Sequence, residues 1–387
     1  MVDRDLPTSE AVALLDLTRD IAQQELVPRV ADAERAGEFP REIFRLLGRS
    51  GLMGLPYPED EGGGGQPYSV YLQVLEELAA GWLSVALGVS VHTLSAHALA
   101  NFGTAEQRDR WLPDMLGGEL LGAYCLSEPG SGSDAAAMVT TATPERDGYS
   151  ITGTKAWITH GGEADYYTLM ARTIHPDDAV AASGRDPISC FLLPARTDGL
   201  SFGSPERKMG MKASTTAPVH LDSVRVDRDR LLGSEGQGMQ IALNALDAGR
   251  LGISACAVGL AQAALEAARD YALGRNQFGQ PIARFQGIEF MLADMATQIE
   301  AGRALYLQTA ARKDAGRPYS SQAAMTKLFC TDMAMQVTTD AVQIFGGAGY
   351  VEDFPVERYF REAKVLQIVE GTNQIQRVVI ARSLLRG

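Results

Sequence analysis

The sequence has few of the residues that build disulfide frameworks or metal centres. Its four cysteines are far apart and include no C-x-x-C pair, a pattern typical of small core residues in a reducing compartment. The five histidines contain no H-E-x-x-H motif. His92 and His97 are separated by roughly 140° around a helix, so they do not share a metal-binding face. We therefore expect no structural disulfide and no metal site.

A basic stripe is also missing. The formal net charge of -13 is spread along the 387 residues, which argues against nucleic acid or an anionic membrane as a partner. An anionic ligand must therefore be bound by a few individually placed cations and by backbone amides.

The sequence has one long stretch without charge, from Leu78 to Ala105. Residues 82–100 are long enough to span a bilayer. This window nevertheless contains polar side chains that hydrocarbon would penalise, namely Ser84, Ser90, His92, Thr93, Ser95 and His97. The polar N-terminal residues followed by an amphipathic pattern are not typical of a secretion signal. We expect a buried helix, a cytoplasmic protein and no membrane insertion.

Three blocks of different periodicity predict the domain organisation. Hydrophobic content of 45% with 21% charged residues is typical of a globular protein, and the length permits two or three domains. We predict an N-terminal helical domain over 1–119, a middle antiparallel β domain over 120–234, and a C-terminal four-helix bundle over 235–387.

Several local signals support this division. Thr8 or Ser9 is placed to cap a first helix, Pro40 opens another, and the helical pattern resumes from Ser69 to Ala80. Thr104 and Gln107 form a capping box. The β block has turn signals and an acidic loop near 175–187. Breaks at 274–281, 314–321 and 346–356 separate four predicted long helices of the bundle.

One carboxylate near the C-terminus is a candidate general base. Glu370 follows the apolar pair Ile368 and Val369 and precedes Gly371 and Thr372. Partial desolvation raises the pKa of such a glutamate from about 4.3, and the glycine allows a ligand to approach the backbone. The alternative interpretation is a helix N-terminus, with the glutamate in the first turn and the threonine as its cap.

Two further stretches are candidates for ligand binding. Residues 124–134 (YCLSEPGSGSD) place glycines and serines after a short apolar strand, so that backbone N–H groups could converge on an anion; a surface turn is the alternative. Residues 155–162 (KAWITHGG) place Trp157 and Thr159 on the same side of a strand. That arrangement suits a planar cofactor, although the tryptophan could equally be core packing.

These stretches, together with residues 275–281 (RNQFGQP), 343–350 (QIFGGAGY) and 370–372 (EGT), resemble the acyl-CoA dehydrogenase family in order and spacing over essentially the whole chain. The resemblance implies a flavin enzyme with a helical domain, a β domain and a four-helix bundle. It implies a homotetramer, FAD as cofactor, an acyl-CoA substrate and an electron-transferring flavoprotein as electron acceptor.

The resemblance also assigns roles to individual residues. Glu370 would remove the α-proton of an acyl thioester while its backbone N–H holds the thioester oxygen, and the β-hydride would pass to flavin N5. Some of the FAD-binding positions would reach FAD in a neighbouring subunit: Arg275, Gln277, Phe278, Gln343 and Gly347. The full set of matching FAD positions is Tyr124, Leu126, Ser127, Gly132, Ser133, Trp157, Ile158, Thr159, Arg275, Gln277, Phe278, Gln286, Gln343, Gly346, Gly347, Thr372 and Gln374. The matching substrate positions are Ser133, Asp247, Arg250, Gly371 and Arg382.

Some members of the family carry the base on another helix, at the position matched by Gly249. A glycine there leaves Glu370 as the base and is similar to the short-chain members. Alternatives within the fold are an oxidase that passes electrons to oxygen and a dehydrogenase of carrier-protein thioesters. Monooxygenases of this fold lack the glutamate, so Glu370 argues against them. A non-catalytic acyl-thioester-binding scaffold is a further alternative.

Overall fold

The computed structural model describes residue 4 and residues 6–175 and 187–385. Its N-terminal part is helical, as predicted. Thr8 accepts a hydrogen bond from the Ala11 N–H at the start of the first helix, and Thr104 and Gln107 form the predicted capping box. The helices are α1 (Ser9–Ile21), α2 (Val30–Ala36), α3 (Arg41–Arg49), α4 (Tyr68–Gly81), α5 (Leu83–Phe102) and α6 (Ala105–Leu116), with a π-helical turn over Ala22–Leu26.

The charge-free stretch forms α5, which lies inside the protein. Of the described helices, α5 and the first helix of the bundle, Gly238–Gly274, are long and apolar enough to cross a membrane. Their most apolar windows are 89% and 78% buried, respectively. The serines, threonines and His92 of α5 are buried with them. His92 Nδ1, for example, accepts a hydrogen bond from the Gly122 N–H at 3.1 Å. This buried histidine therefore joins α5 to the first strand of the middle region.

The middle region is an eight-stranded sheet. Most strand pairs are antiparallel, as predicted, but β1 and β2 both pair with β4 in parallel; the all-antiparallel expectation was wrong there, because parallel pairing leaves no hairpin signal in the sequence. The predicted acidic loop falls largely on 176–186, outside the described residues. The strands are β1 (Gly122–Cys125), β2 (Thr141–Pro144), β3 (Gly148–Thr159), β4 (Tyr166–Thr173), β5 (Ile188–Pro194), β6 (Leu200–Phe202), β7 (Thr216–Asp227) and β8 (Leu231–Leu232).

The C-terminal region contains three long helices rather than the four predicted. These are α7 (Gly238–Gly274), α8 (Gln286–Asp314) and α9 (Ser320–Phe345), with a short hairpin of β9 (Asn276–Gln277) and β10 (Gln280–Pro281) after α7. In place of a fourth long helix there are two short ones, α10 (Val356–Leu366) and α11 (Asn373–Leu385). The break between them is the loop that carries Glu370, where two successive residues adopt positive φ.

The helical regions share one core. A single cluster of buried apolar side chains runs from Leu15 in α1 to Leu366 in α10. Polar contacts join the same regions. The first N–H groups of α4, those of Tyr68 and Ser69, donate to the Asp314 carboxylate at 2.8 and 3.2 Å. Glu76 in α4 accepts from Arg303 in α8 at 2.8 Å. The N-terminal helices and the bundle therefore pack as one body.

Candidate active site

Glu370 lies in the turn between α10 and α11. Its φ is 54° and that of Gly371 is 87°, the left-handed region that glycine adopts freely and glutamate rarely. Thr372 Oγ1 accepts a hydrogen bond from the Ile375 N–H at 3.3 Å, so the threonine does cap α11. Glu370 is outside that cap, two residues before it. The helix-terminus interpretation is thus right for Thr372 and wrong for the glutamate.

The Glu370 carboxylate is buried without a partner. Both of its oxygens are inaccessible to solvent, and neither has a hydrogen-bond partner among the residues the structure describes. Burial raises the pKa of Glu370 to about 7, against the lowering effect of the Lys327 and Arg250 cations. A carboxylate in this condition is poised to accept a proton at neutral pH.

The N-terminal half of α7 faces the carboxylate. A Cβ atom added at Gly249 would overlap Glu370 Oε2, so the absence of a side chain there makes the room that the carboxylate occupies. Arg250 donates to Asp247 at 2.5 Å, and burial raises the pKa of Asp247. The predicted grouping of Asp247, Gly249 and Arg250 beside Glu370 is therefore present.

The backbone of the same turn offers donors. The Gly371 carbonyl is engaged by Lys327 Nζ at 3.0 Å and by Gln376 Nε2 at 2.7 Å. The N–H groups of Glu370 and Gly371, by contrast, donate no hydrogen bond within the described part of the chain. These free donors beside a buried base can receive an oxygen atom on which negative charge develops.

A cavity of about 370 Å³ reaches Gly249, the residue next to the Glu370 carboxylate, although Glu370 itself does not line it. Its inner walls come from α4, α5 and α7. Tyr57 and Tyr68 are held in the wall by hydrogen bonds to Thr93 O at 2.6 Å and Ala248 O at 2.9 Å. Polar side chains that the sequence did not single out as site residues also line it: His97, Asn101, Arg108 and Lys313. Only their shared position around this cavity reveals them.

The serine-containing loop and the tryptophan-containing strand meet in the structure. The Ala156 N–H donates to Ser127 O at 2.9 Å, which places Ser127 next to Trp157 and Thr159. Trp157 has φ 56° at a bulge of β3 and is 57% exposed. The core-packing interpretation of Trp157 was therefore wrong. Trp157 and Thr159 face outward, while the side chains of Leu126 and Ile158 are buried.

A buried ion pair supports this loop and was missed from the sequence. Lys155 Nζ donates to Glu128 Oε1 at 2.8 Å and to Leu126 O at 3.2 Å. The same carboxylate accepts from the N–H groups of Val139 and Thr140 at 2.6 and 3.0 Å. These two amides lie outside the 124–134 loop predicted to receive an anion; within that loop, the Ser131 N–H donates to Glu128 O at 3.1 Å. Gly132 and Ser133, also predicted as ligand contacts, are exposed.

The remaining predicted cofactor positions lie on the surface of the bundle. Phe278, at the β9–β10 turn, is 93% exposed with φ 51°. Exposed with it are Arg275, Gln277, Gln286, Gln343, Gly346, Gly347 and Gln374, and on α11 the predicted substrate contact Arg382. Tyr124 and Thr372 are half-buried, and Tyr124 donates to Ala242 O at 3.3 Å.

Three family models match consecutive parts of this chain: acyl-CoA dehydrogenase N-terminal domain over 8–119, middle domain over 123–224 and C-terminal domain over 236–385. The chain belongs to the acyl-CoA dehydrogenase family. It is 44% identical to an acyl-CoA dehydrogenase of Bacillus subtilis, over 98% of this chain and 99% of that one. It is 40% identical to the mitochondrial short-chain specific acyl-CoA dehydrogenase of Bos taurus, over 99% and 91%.

Solved structures agree with this assignment. Butyryl-CoA dehydrogenase from Megasphaera elsdenii superposes with a TM-score of 0.94 at 39% identity, over 100% of both chains. A chain in the structural study of the electron transferring flavoprotein of Acidaminococcus fermentans superposes with a TM-score of 0.95 at 42% identity, also over 100% of both chains. The predicted family, fold and enzyme class, an oxidoreductase, are thereby confirmed.

The acyl-CoA dehydrogenase family is flavin-dependent, and the residues present fit a flavin. Trp157 is an exposed aromatic ring at a bulge of β3. The half-buried Ser127 is joined to the neighbouring Ala156 by a backbone hydrogen bond, and the half-buried Thr159 lies two residues after Trp157 on the same strand. The nearby Glu128 carboxylate is bound by Lys155 and backbone amides, so its charge is compensated within the protein. The chain therefore retains a flat, polar-edged surface of the kind such a cofactor needs.

Proposed function

We propose that this protein is an FAD-dependent acyl-CoA dehydrogenase that converts an acyl-CoA thioester to the trans-2-enoyl-CoA. The observation that carries the proposal is the buried, unpartnered Glu370 carboxylate beside unused backbone N–H groups. The carboxylate adjoins Gly249, which lines the cavity. The α-proton of a thioester is a weak acid, so its removal needs both a positioned base and a donor for the developing negative charge. This turn supplies both.

The protein's own residues would act in two ways. Glu370 accepts the α-proton on one carboxylate oxygen, and desolvation makes it a stronger base than an exposed glutamate. The Glu370 N–H then donates to the thioester oxygen as the enolate charge grows. Arg250 and Asp247, paired at 2.5 Å on α7, and Gly371 line the same side and would orient the thioester.

FAD, when bound, supplies the acceptor for the β-hydride. Ser127, Thr159 and Trp157 would contact its ring, with Tyr124, Leu126, Gly132, Ser133 and Ile158 contributing through their neighbouring backbone or side chains. The exposed bundle positions would bind its dinucleotide end in a neighbouring subunit. The 93% exposed ring of Phe278, at the turn that carries several of these positions, supports a subunit contact there. We propose a homotetramer, as the resemblance to the family implies.

We further propose short or medium, straight or short-branched acyl chains as the preferred substrates. The cavity is about 370 Å³ and is limited by fixed rings, those of Tyr57 and Tyr68. Gly249 supports the same preference through its similarity to short-chain members of the family, and the relatives of bovine and Megasphaera origin are named for short acyl chains.

An electron-transferring flavoprotein is the proposed electron acceptor, and the cytoplasm is the proposed location.

Anaerobic bleaching of the bound flavin tests the function and the substrate together. The purified protein should be yellow, with about one FAD per chain, and a panel of acyl-CoA esters of different length and branching should reduce it at different rates. We expect the fastest bleaching with short or medium chains. A protein that purifies without flavin supports the non-catalytic scaffold, and a maximum near sixteen carbons contradicts the short-chain proposal. Rapid reoxidation by oxygen identifies an oxidase, and reduction only by carrier-protein thioesters identifies the biosynthetic alternative.

A further inference from the structure

Lys327 is a buried cation beneath the Glu370 turn. It projects from α9 and is fully buried. Its Nζ donates to Gly371 O at 3.0 Å and to Asn373 Oδ1 at 2.8 Å, so both hydrogen-bond acceptors are neutral oxygens. A buried ammonium group whose hydrogen-bond acceptors are all neutral is costly. The protein nevertheless places one here, immediately behind the proposed base.

Lys327 belongs to a network that joins α9 to both sides of the turn. Asn373 Nδ2 donates to Thr331 Oγ1 at 2.9 Å and to Asp332 Oδ1 at 2.7 Å. Gln367 Nε2, on the other side of the turn, donates to the same Asp332 oxygen at 2.6 Å. The residues before and after Glu370 are therefore tied to one helix. The network contains two cations, the buried Lys327 and the exposed Arg377, which donates to the other Asp332 oxygen at 3.2 Å.

The backbone of Glu370 needs such support. A non-glycine residue in the left-handed region costs about 1–3 kcal/mol and persists only where its surroundings over-determine it. At Glu370, with φ 54°, the next carbonyl is held by two donors, Lys327 and Gln376. This double hydrogen bond fixes the peptide plane between Gly371 and Thr372, directly after the two residues with positive φ.

We propose, resting on the function proposed above, that Lys327 is a positioning residue for the reaction. Its ammonium group holds the Gly371 carbonyl and with it the turn that directs the Glu370 carboxylate towards Gly249, at the edge of the cavity. Its positive charge favours the ionised carboxylate that removes the proton.

The electrostatics of the site agree with this geometry. Burial lowers the pKa of Lys327 to about 8, while the Glu370 charge acts to raise it. Burial raises the pKa of Glu370 to about 7, while Lys327, then Arg250, act to lower it. Near neutral pH, each group therefore favours the charged form of the other. The other titratable groups that face the site from α4, β1, α7, α9 and α11 are Tyr68, Tyr71, Tyr124, Asp247, Cys256, Asp332 and Arg377.

The test is the pH profile of flavin reduction in Lys327→Met. An opposite charge nearby lowers a carboxyl pKa by about 1–3 units, so its removal should raise the apparent pKa of the reductive step by about that amount. The variant should be slow at neutral pH and recover as the pH rises. Thr331→Val is the matched control, because it removes a neutral hydrogen bond to the same Asn373. It should leave the apparent pKa unchanged, and Lys327→Arg should restore the wild-type profile.

A second measurement does not depend on turnover. The pKa of Glu370 is raised from an ordinary 4.5 to about 7 in the folded protein, so the neutral acid stabilises the fold at low pH and this contribution is lost as the pH rises through 7. Glu370→Gln should therefore gain melting temperature relative to the wild type across that window. The same comparison is then made with Lys327→Met added to the wild type and to Glu370→Gln. The pH at which the melting-temperature difference is half complete should be higher in this second pair.

The outcomes separate the two proposals. If folded, FAD-containing Lys327→Met shows the wild-type pH midpoint in both measurements, the role proposed for Lys327 is overturned. If no acyl thioester reduces the wild-type flavin, the proposed function fails, while the melting-temperature series still decides the effect of Lys327 on Glu370. Should Lys327→Met not fold, Lys327→Gln and Lys327→Arg form the same comparison: a raised midpoint in the first with a wild-type midpoint in the second supports the proposal, and equal midpoints overturn it.

Discussion

Two buried glutamates of this protein stand beside buried lysines, and they differ in what satisfies them. Glu128 pairs directly with Lys155 at 2.8 Å and accepts two backbone N–H groups besides. Although burial acts to raise its pKa, Lys155 and these hydrogen bonds bring it below the usual value. Glu370 has Lys327 near it but no hydrogen-bond partner among the described residues, and burial raises its pKa to about 7.

The comparison shows how one residue type serves structure in one place and chemistry in another. A carboxylate whose two oxygens both accept hydrogen bonds within the protein is a weaker proton acceptor, and it fixes the loop to which it is bound. A carboxylate left unsatisfied in a dry site costs stability, but it is a ready proton acceptor. In both places a lysine supplies the charge; only the distance and the hydrogen bonds differ.

The largest effect is expected from Glu370→Gln, which removes the proton acceptor that distinguishes Glu370 from Glu128. The amide keeps the size of the side chain but does not accept the proton, and a positioned base contributes about 10²–10⁴-fold. We expect the rate of single-turnover flavin reduction to fall by the upper end of that range or more, with fold and FAD content kept. A rate within about tenfold of the wild type would remove Glu370 as the base. Gly249→Glu with Glu370→Gly should restore part of the activity, because those two side chains compete for one space.

For Glu128, loss of its lysine partner should lower the free energy of unfolding rather than the rate of the reaction. Lys155→Met leaves the Glu128 charge buried and unpaired, and removing one partner of such a pair costs about 3–5 kcal/mol. Glu145→Ala is the matched control, since Glu145 pairs with the 82% exposed Arg225 at 3.6 Å and exposed pairs contribute about 0–1 kcal/mol. Denaturant unfolding of both variants measures the difference. Equal losses would show that the buried pair is no more important than the surface pair.

Gly249→Ala sharpens the comparison by moving the unsatisfied carboxylate without removing it. The new methyl group would overlap Oε2 of Glu370, and a displacement of about 1 Å can cost on the order of 10²-fold in rate. Gly274→Ala, at the other end of α7, has nothing within 4 Å of its added methyl group and should be neutral. Flavin reduction by the same acyl-CoA ester compares the two. A rate for Gly249→Ala equal to that of Gly274→Ala would contradict the contact.

The smallest expected effect concerns a cation whose proposed partner comes with the cofactor. Arg275 is exposed at the end of α7, and charge-assisted hydrogen bonds to a pyrophosphate are worth about 1.5–3 kcal/mol. Arg275→Ala should therefore weaken FAD retention by about 10- to 150-fold, measured as FAD content after dilution or dialysis. Arg269→Ala on the same helix, whose side chain already pairs with Asp270 at 2.8 Å, is the control. Unchanged FAD content in both would remove the cross-subunit assignment.

Much of the fold was predictable because its signals are local. The cap at Thr8, the capping box at Thr104 and the polar breaks between the bundle helices are each set by residues a few positions apart. The parallel pairing of β1 with β4 and the division of the last helix were not predictable in this way. Both depend on partners far along the chain, such as Lys327, which lies 44 residues before the Gly371 carbonyl to which it donates.

The candidate site, like the fold, was predictable only where its residues belong to a local sequence motif. The sequence indicated Glu370, Gly249 and the loop at Ser127 through their neighbours and through resemblance. It gave no sign that Lys155 and Lys327 would be fully buried, because a lysine is expected at the surface unless a partner is known. The polar residues around the cavity, such as His97 and Arg108, share no local motif at all. Their grouping arises only from packing.

The contact between Asp314 and the first turn of α4 has a consequence for how the protein is made. The carboxylate that caps Tyr68 and Ser69 lies 246 residues later in the chain. At about 5–20 residues per second, a ribosome needs on the order of 10–50 s to deliver it. Until then α4 lacks both its cap and the bundle side chains that cover its apolar face. We expect the nascent N-terminal third to remain incompletely folded and dependent on chaperones, and a fragment ending at residue 119 not to fold alone.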